Sequence, residues 1–276
     1  MKILTINTHS LVEQDYEHKL IQFVAFILKE QPDIIAMQEV NQSIDAPIAE
    51  ELAGYCPCPN AAVPVRADNH ALQVALRLQN VGISCSWTWV SAKIGYGKYD
   101  EGVAIVSLSH ELEHPHYRYI SRITDYENWK SRTILGAKIA NEWYYTVHMG
   151  WWNDEDDPFQ QQWEAAQQTL RHAETVWLMG DFNNPAELPR QGYELVQQSG
   201  WYDTYLLAEE KDSGITVQEA IDGWRNQLEN PALCGNGMRI DQIWSSRKVP
   251  IAKSEVVFSG EDKISDHFGV MITLKK

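Results

Sequence analysis

The stretch VWLMGDFNNP, Val176 to Pro185, is apolar in its first half and ends in a carboxylate and two amides, Asp181, Asn183 and Asn184. An apolar run closed by polar side chains reads as a buried strand that delivers chemistry at its end. The pattern recurs along the chain. Asn7 closes KILTIN, Glu39 closes DIIAMQE, Glu101 stands before GVAIVS and His148 follows WYYTV. Asp241 lies within RIDQIW, and Asp266 and His267 precede FGVMITL. Oxygen ligands of this kind suit a hard divalent cation, and an imidazole beside a carboxylate can move a proton near neutral pH. Taken singly, each residue has a plain reading: an Asp after a Gly is commonly a turn residue, and a strand-end His is commonly solvated. Together they mean more, because neighbouring strands lie about 5 Å apart and their ends converge at one rim of a sheet.

The elements that must position these groups follow from periodicity. KILTIN opens the first strand. Leu20, Phe23, Val24, Ile27 and Leu28 then fall on one helical face, with Asp15 as its expected cap and Pro32 beyond its end. DIIAMQE reads as a short strand, NHALQVALRLQN as a helix, and SCSWTWVSA, GVAIVSLS, RTILGAKIA and EWYYTVHM as strands. Pro158 starts a helix with a Trp163–Ala166–Leu170 stripe. TVWLMGD is a strand, YELVQQSG a short helix, and MRIDQIWSS, EVVFS and FGVMITL close the chain as strands. No linker, repeat or low-complexity tract interrupts the sequence, so 1–276 reads as a single domain. Strands mixed with fewer helices point to an α/β layered sandwich rather than a plain doubly wound sheet.

Composition narrows the partners. A chain of 276 residues with 44% hydrophobic content buries a sizeable core. Its net charge of −15, without a Lys/Arg cluster, disfavours nucleic acid and anionic membrane as bulk partners, although a local basic patch would remain compatible. No apolar run is long enough to span a membrane, the N-terminus reads as a strand rather than a secretory signal, and the expected location is cytoplasmic. CPCP lacks the two-residue zinc spacing, so Cys56, Cys58, Cys85 and Cys234 are expected as reduced thiols. No role is assigned to segment 41–66, and the oligomeric state is open.

The ordered set ILTINTHS, PDIIAMQEV, YDEGVAIVS, TVHMG, MGDFNNP, RIDQIW and SDHFGV resembles the endonuclease/exonuclease/phosphatase, or DNase I-like, superfamily across Asn7 to His267. NTHS and the Trp-rich middle look most like the bacterial branch that includes maltose 6'-phosphate phosphatase. The resemblance implies a four-layer α/β/β/α sandwich, two packed mixed β-sheets flanked by helices. It also implies hydrolysis of a phosphate ester with Mg²⁺, for which Mn²⁺ could substitute. By motif position the metal residues are Glu39, Asn7 and Asp266, with Glu39 the principal ligand, Asn7 beside it and Asp266 a further ligand. Asp181 and Asn183 orient the attacking water and the phosphate. His267 is the catalytic histidine with Asp241 as its orienting carboxylate, and His148 is a phosphate-contacting histidine partnered by Glu101. Arg132, in KSRTILGAK, fits a phosphate-binding arginine. Whether Asp181 or His267 is the general base stays open. His9 stands where nucleases often carry an acidic residue and is either a substrate contact or a surface histidine.

The remaining signal is aromatic. Eleven tryptophans are many for this length. Trp87, Trp89 and Trp244 read as core by alternation. Trp151 and Trp152 instead follow His148 in a polar loop, and GYGKYD, Gly95 to Asp100, is a second aromatic loop beside Glu101. Flat apolar faces at the rim of a phosphate site suit a sugar ring, or a stacked base. The reading is therefore a metal-dependent phosphomonoesterase for a small phosphorylated metabolite such as a sugar phosphate. A nuclease, a lipid phosphodiesterase and a binding module with a dead site follow in that order.

Overall fold

The computed structural model of the chain describes residues 1–152, 154–171, 173–190, 192–218 and 237–275. In chain order these form β1 (Lys2–Asn7), α1 (Tyr16–Glu30), β2 (Ile34–Ser43), α2 (His70–Asn80), β3 (Ser86–Gly95), β4 (Tyr99–Ser107), β5 (Leu112–Tyr119), β6 (Thr133–Ile139) and β7 (Glu142–His148). There follow α3 (Phe159–Thr169), β8 (Val176–Asp181), α4 (Tyr193–Gln198), β9 (Tyr202–Asp203), α5 (Thr204–Leu207), β10 (Glu210–Lys211), β11 (Asp241–Ser245), β12 (Ile251–Val257) and β13 (Gly269–Leu274).

The strands make a seven-stranded sheet, β10-β12-β13-β1-β2-β4-β3, and a six-stranded sheet, β5-β6-β7-β8-β11-β9. Both are mixed. Each contains one parallel βαβ unit: β1 and β2 around α1, and β7 and β8 around α3. Side chains alternate across the pleat, which sets the layers. In β1, Leu4 and Ile6 pack with Leu20, Phe23 and Ile27 of α1, while Ile3 turns to the other face and meets the second sheet's partners. Between the sheets lie Ala36, Val103, Ile105, Leu135, Ala137, Met179 and Ile243. Beyond the second sheet, Tyr145, Val147 and Leu178 pack on Phe159, Trp163 and Ala166 of α3. The result is the expected α/β/β/α order. Trp87, Trp89 and Trp244 are core residues, as their alternation predicts.

Some expectations are corrected. Asp15 sits at the start of α1 in a left-handed conformation, and its side chain makes no cap hydrogen bond. Leu28 is exposed at 36%, because it lies at the edge of the stripe. Gly180 lies inside β8 at φ 142, where a Cβ would fall 2.0 Å from the Val147 carbonyl oxygen, so glycine allows β7 and β8 to approach. The second strand runs on to Ser43, and β5, LEHPHYRY, was not foreseen, because its charged residues and Pro115 hide an edge strand. Cys56, Cys58 and Cys85 are free thiols, while Cys234 lies outside the described residues.

Where α1 meets α2, His70 is buried, lies parallel to the Phe23 ring at 6.0 Å and has Nδ1 3.0 Å from the Tyr16 hydroxyl. Burial and the nearby Arg77 charge press its pKa down to about 3. The folded chain thus holds His70 neutral where the unfolded chain would protonate it. Its contribution is complete above pH ~6.5 and is lost as pH falls from there towards 3. Urea unfolding at pH 7 and pH 5 is expected to show that His70→Phe removes about 2 kcal/mol of the wild-type stability loss over this interval. An unchanged loss would place the acid sensitivity elsewhere.

Candidate active site

The parallel units explain why the polar residues meet. β1 ends at Asn7, β7 at His148 and β8 at Asp181, so three strands release side chains at one rim. In the second sheet, His148, Asp181 and Asp241 are in register across β7, β8 and β11 and therefore share a face. In the first, the β2–β4 register shifts between Met37 and Val40, and Glu39 adopts φ 49. This bulge turns Glu39 out of the ladder towards the rim.

Asn7 joins the two sheets. Its Nδ2 donates to Glu39 Oε1 at 2.9 Å and to Asp181 Oδ2 at 3.2 Å, while its Oδ1 accepts from the His9 backbone N–H. Asn7, expected among the metal residues, is instead fully buried with both ends of its amide hydrogen-bonded and stands behind the carboxylates, outside the pocket lining. Asp181 also accepts from the Asn183 backbone N–H at 2.8 Å, and Asn183 Nδ2 donates to the Met149 carbonyl. Asn183 adopts φ 47, a conformation that asparagine tolerates well.

His267 Nδ1 lies 2.9 Å from Asp241 Oδ2, and its Nε2 faces Asp181 Oδ2 at 3.8 Å. Burial opposes the charged ring, but Asp241 and Asp181 outweigh it and hold its pKa well above the usual value. Asp181 responds in the opposite sense. Burial and the Asp241 charge push its carboxyl up to about 7, against the pull of His267. His148 Nε2 lies 3.6 Å from Asp181 Oδ2, and burial with Arg132 and Lys93 nearby keeps this ring neutral. Glu101 is 4.0 Å from His148 Nδ1 and 3.0 Å from Lys93 Nζ, so its close partner is the lysine rather than the expected histidine.

Glu39, Lys93, Glu101, His148, Asp181, Asn183 and His267 line a pocket of about 310 Å³, with Asn7 and Asp241 behind them. Asp266 and His9 stand at its mouth, 3.8 Å apart. Burial works against a charged His9, yet its 2.7 Å bond to Glu13 and the charges of Glu39 and Asp266 raise its pKa to about 9. His9 is a cation of the site, and its Nε2 meets the Tyr96 hydroxyl at 2.9 Å. Arg132 lies in the wall, with Nε on the Met149 carbonyl and Nη1 on that of Trp129. Tyr96, Trp129 and Trp151 are its aromatic lining, with Trp129 and Trp151 5.6 Å apart. Trp152, expected beside the substrate, does not line the pocket; it packs near Leu188 and Ile240.

Three contributors were missed. Lys93 reads as an ordinary pleat residue, although its register position opposite Glu101 carries it inward. Trp129 sits in an irregular segment without periodicity. Thr216 Oγ1 accepts from the backbone N–H of Ile240 and Asp241, and its carbonyl accepts from Phe268, tying the His267 segment to β11.

A family model described as the endonuclease/exonuclease/phosphatase family matches residues 4–267. The chain belongs to this family. Members of the endonuclease/exonuclease/phosphatase family are hydrolases acting on phosphoester bonds, and the family generally uses a divalent metal. A family protein from Leptotrichia buccalis is 29% identical over 100% of both chains, with a TM-score of 0.85. A mannosyl-6-phosphatase of Bacteroides thetaiotaomicron is 15% identical over 100% of both chains, TM-score 0.66. A 3'-5' exonuclease of Neisseria meningitidis is 20% identical over 100% of both chains, TM-score 0.64. No curated protein matches the sequence significantly. Among the described residues no helix is long and apolar enough to cross a membrane.

The His267–Asp241 pair generates a pH prediction. Asp241 is the strongest group holding the proton on His267, so Asp241→Asn should lower the pKa of that ring. The alkaline limb of kcat/KM, where His267 loses its proton, should move to lower pH by more than one unit. An alkaline limb at the wild-type position would show that it reports another group.

Proposed function

We propose that the protein is a metal-dependent phosphomonoesterase for a small sugar phosphate, of the kind exemplified by maltose 6'-phosphate. The observation that carries this reading is the mixed lining of one pocket of about 310 Å³, where carboxylates, imidazoles and Arg132 occur together with the aromatic rings of Tyr96, Trp129 and Trp151. The polar groups suit a phosphate and the aromatic rings the C–H face of a sugar ring. The volume is at the low end for ligand pockets, and the charge of −15 disfavours a polyanion. Sugar phosphatase and exonuclease neighbours share the fold, so the fold does not choose between their substrates.

The donor set fits a hard divalent cation. Glu39 and Asp266 present carboxylate oxygens to the pocket, and burial with the Glu101 charge pushes the Glu39 carboxyl up, which makes a neighbouring cation favourable. Glu39 and Asp266 would hold Mg²⁺, or Mn²⁺ in its place, and Asn7 would orient Glu39 from behind. Such a cation supplies charge stabilisation to the phosphoryl oxygens. Asp181, whose carboxyl burial and the Asp241 charge push up, serves as the acceptor for the proton of the attacking water. His267, kept charged by Asp241, donates to a phosphoryl oxygen, and Arg132 with neutral His148 completes the cradle. Asn183 fixes Asp181 through its backbone N–H.

Phosphate release should be measured across sugar phosphates, nucleotides and 3'-phosphorylated DNA, with Mg²⁺ and with chelator. Mg²⁺-dependent release from a sugar phosphate is expected; efficient cleavage of DNA with no release from any sugar phosphate would overturn the reading. Trp129→Ala combined with Trp151→Ala should raise KM for the sugar phosphate about tenfold, with a much smaller effect on glycerol phosphate, which has no ring to stack. Equal effects on both would remove the aromatic rings from substrate binding.

A further inference from the structure

We propose that Lys93 and Arg132 form a two-cation clamp for a phosphate dianion, and that Lys93 biases the site towards monoesters over diesters. The inference rests on the phosphomonoesterase reading and adds the residue that senses the charge of the phosphate.

The geometry is specific. Lys93 and Arg132 are both at least nine-tenths buried, yet both line the pocket. Lys93 Nζ and Arg132 Nη1 donate to one acceptor, the Trp129 carbonyl, at 2.9 and 2.7 Å. Two like charges share a neutral oxygen in a setting where water screens them poorly, an arrangement that repels unless anions lie beside it. Burial and the Arg132 charge both work against the Lys93 ammonium. Glu101, 3.0 Å from Nζ, offsets one of the two charges. Gly95 makes room for that carboxylate, since a Cβ there would lie 2.4 Å from Glu101 Oε2. The Arg132 charge has Glu39, Asp181 and Asp157 as its other anionic neighbours, and both cations line the pocket. Arg132 Nη2 has no hydrogen-bond partner among the described residues. Asp181 also faces the His267 ring, and Glu39 faces the cation of the proposed site, so a bound phosphate dianion adds compensation where Lys93 and Arg132 meet.

A monoester answers this charge pattern and a diester answers it less well. At neutral pH a monoester carries close to two negative charges, spread over three non-bridging oxygens. A diester carries one, and one of those oxygens bears carbon instead. Carbon against a buried ammonium leaves that ammonium without compensation.

The test uses the Mg²⁺-loaded protein as wild type, Lys93→Gln, Lys93→Arg, and the double variant Lys93→Gln/Glu101→Gln. The double variant removes the ion pair as a neutral unit, so it carries the test if the single variant folds poorly. Calorimetric titration with inorganic phosphate should show a Kd at least tenfold weaker in Lys93→Gln and in the double variant, with Lys93→Arg restoring most of the affinity. The ratio of kcat/KM for p-nitrophenyl phosphate to that for bis(p-nitrophenyl) phosphate should fall at least tenfold in Lys93→Gln. A phosphate Kd within twofold of wild type, with equal losses on both esters, would reduce Lys93 to a counter-charge for Glu101 and overturn the clamp. A wild type that hydrolyses only diesters would instead sink the monoesterase reading, and the phosphate titration would still judge the clamp by itself.

Discussion

The two hydrogen bonds from Asn7 Nδ2 tie Glu39 of one sheet to Asp181 of the other, and the site is organised around that bridge. Buried carboxylates this close repel, and each must find a donor or a cation. The bridge supplies one donor to both, His267 adds charge beside Asp181, and the Glu39 side remains rich in negative charge. Below it, Gln38 Nε2 reaches Thr5 and Thr146, so polar contacts continue into the seam between the sheets. The acidity that forces these contacts is the same property that suits the rim to a cation and a phosphate.

The environments separate the roles of similar groups. His267 and His148 both flank Asp181, yet one is held charged by Asp241 while the other is held neutral by burial beside Arg132 and Lys93. A charged imidazole donates to an anion, and a neutral one can sit beside cations without adding to their repulsion. The sequence alone leaves open whether Asp181 or His267 takes a proton; the proposed assignment of that role to Asp181 follows from His267 being held charged by Asp241.

Much of the fold was legible because buried strands and amphipathic helices carry strong periods. The site residues stood out because polar side chains ended apolar runs, and Asn7, His148 and Asp181 do lie at strand ends. What escaped had no such signal. The bulge that turns Glu39 outward is a property of pairing with β4, which one strand's sequence does not display. Lys93 is concealed in an alternating strand, and its meaning appears only opposite Glu101. Trp129 escapes because its segment has no period, and adjacent Trp151 and Trp152 both pack against the Leu188 cluster, with Trp151 also lining the pocket. Loops vary on a shared fold more than the sheets that carry them, which is why the class of reaction was easier to read than its substrate.

The central claim is that the carboxylates at the seam are assembled for a divalent cation. Thermal unfolding of wild type and Glu39→Gln, each with Mg²⁺ and with chelator, tests it most directly. Relief of repulsion should leave the chelated variant at least as stable as chelated wild type, whereas Mg²⁺ should raise the Tm of wild type and raise that of the variant far less. An equal Mg²⁺-induced rise in both proteins would contradict the account.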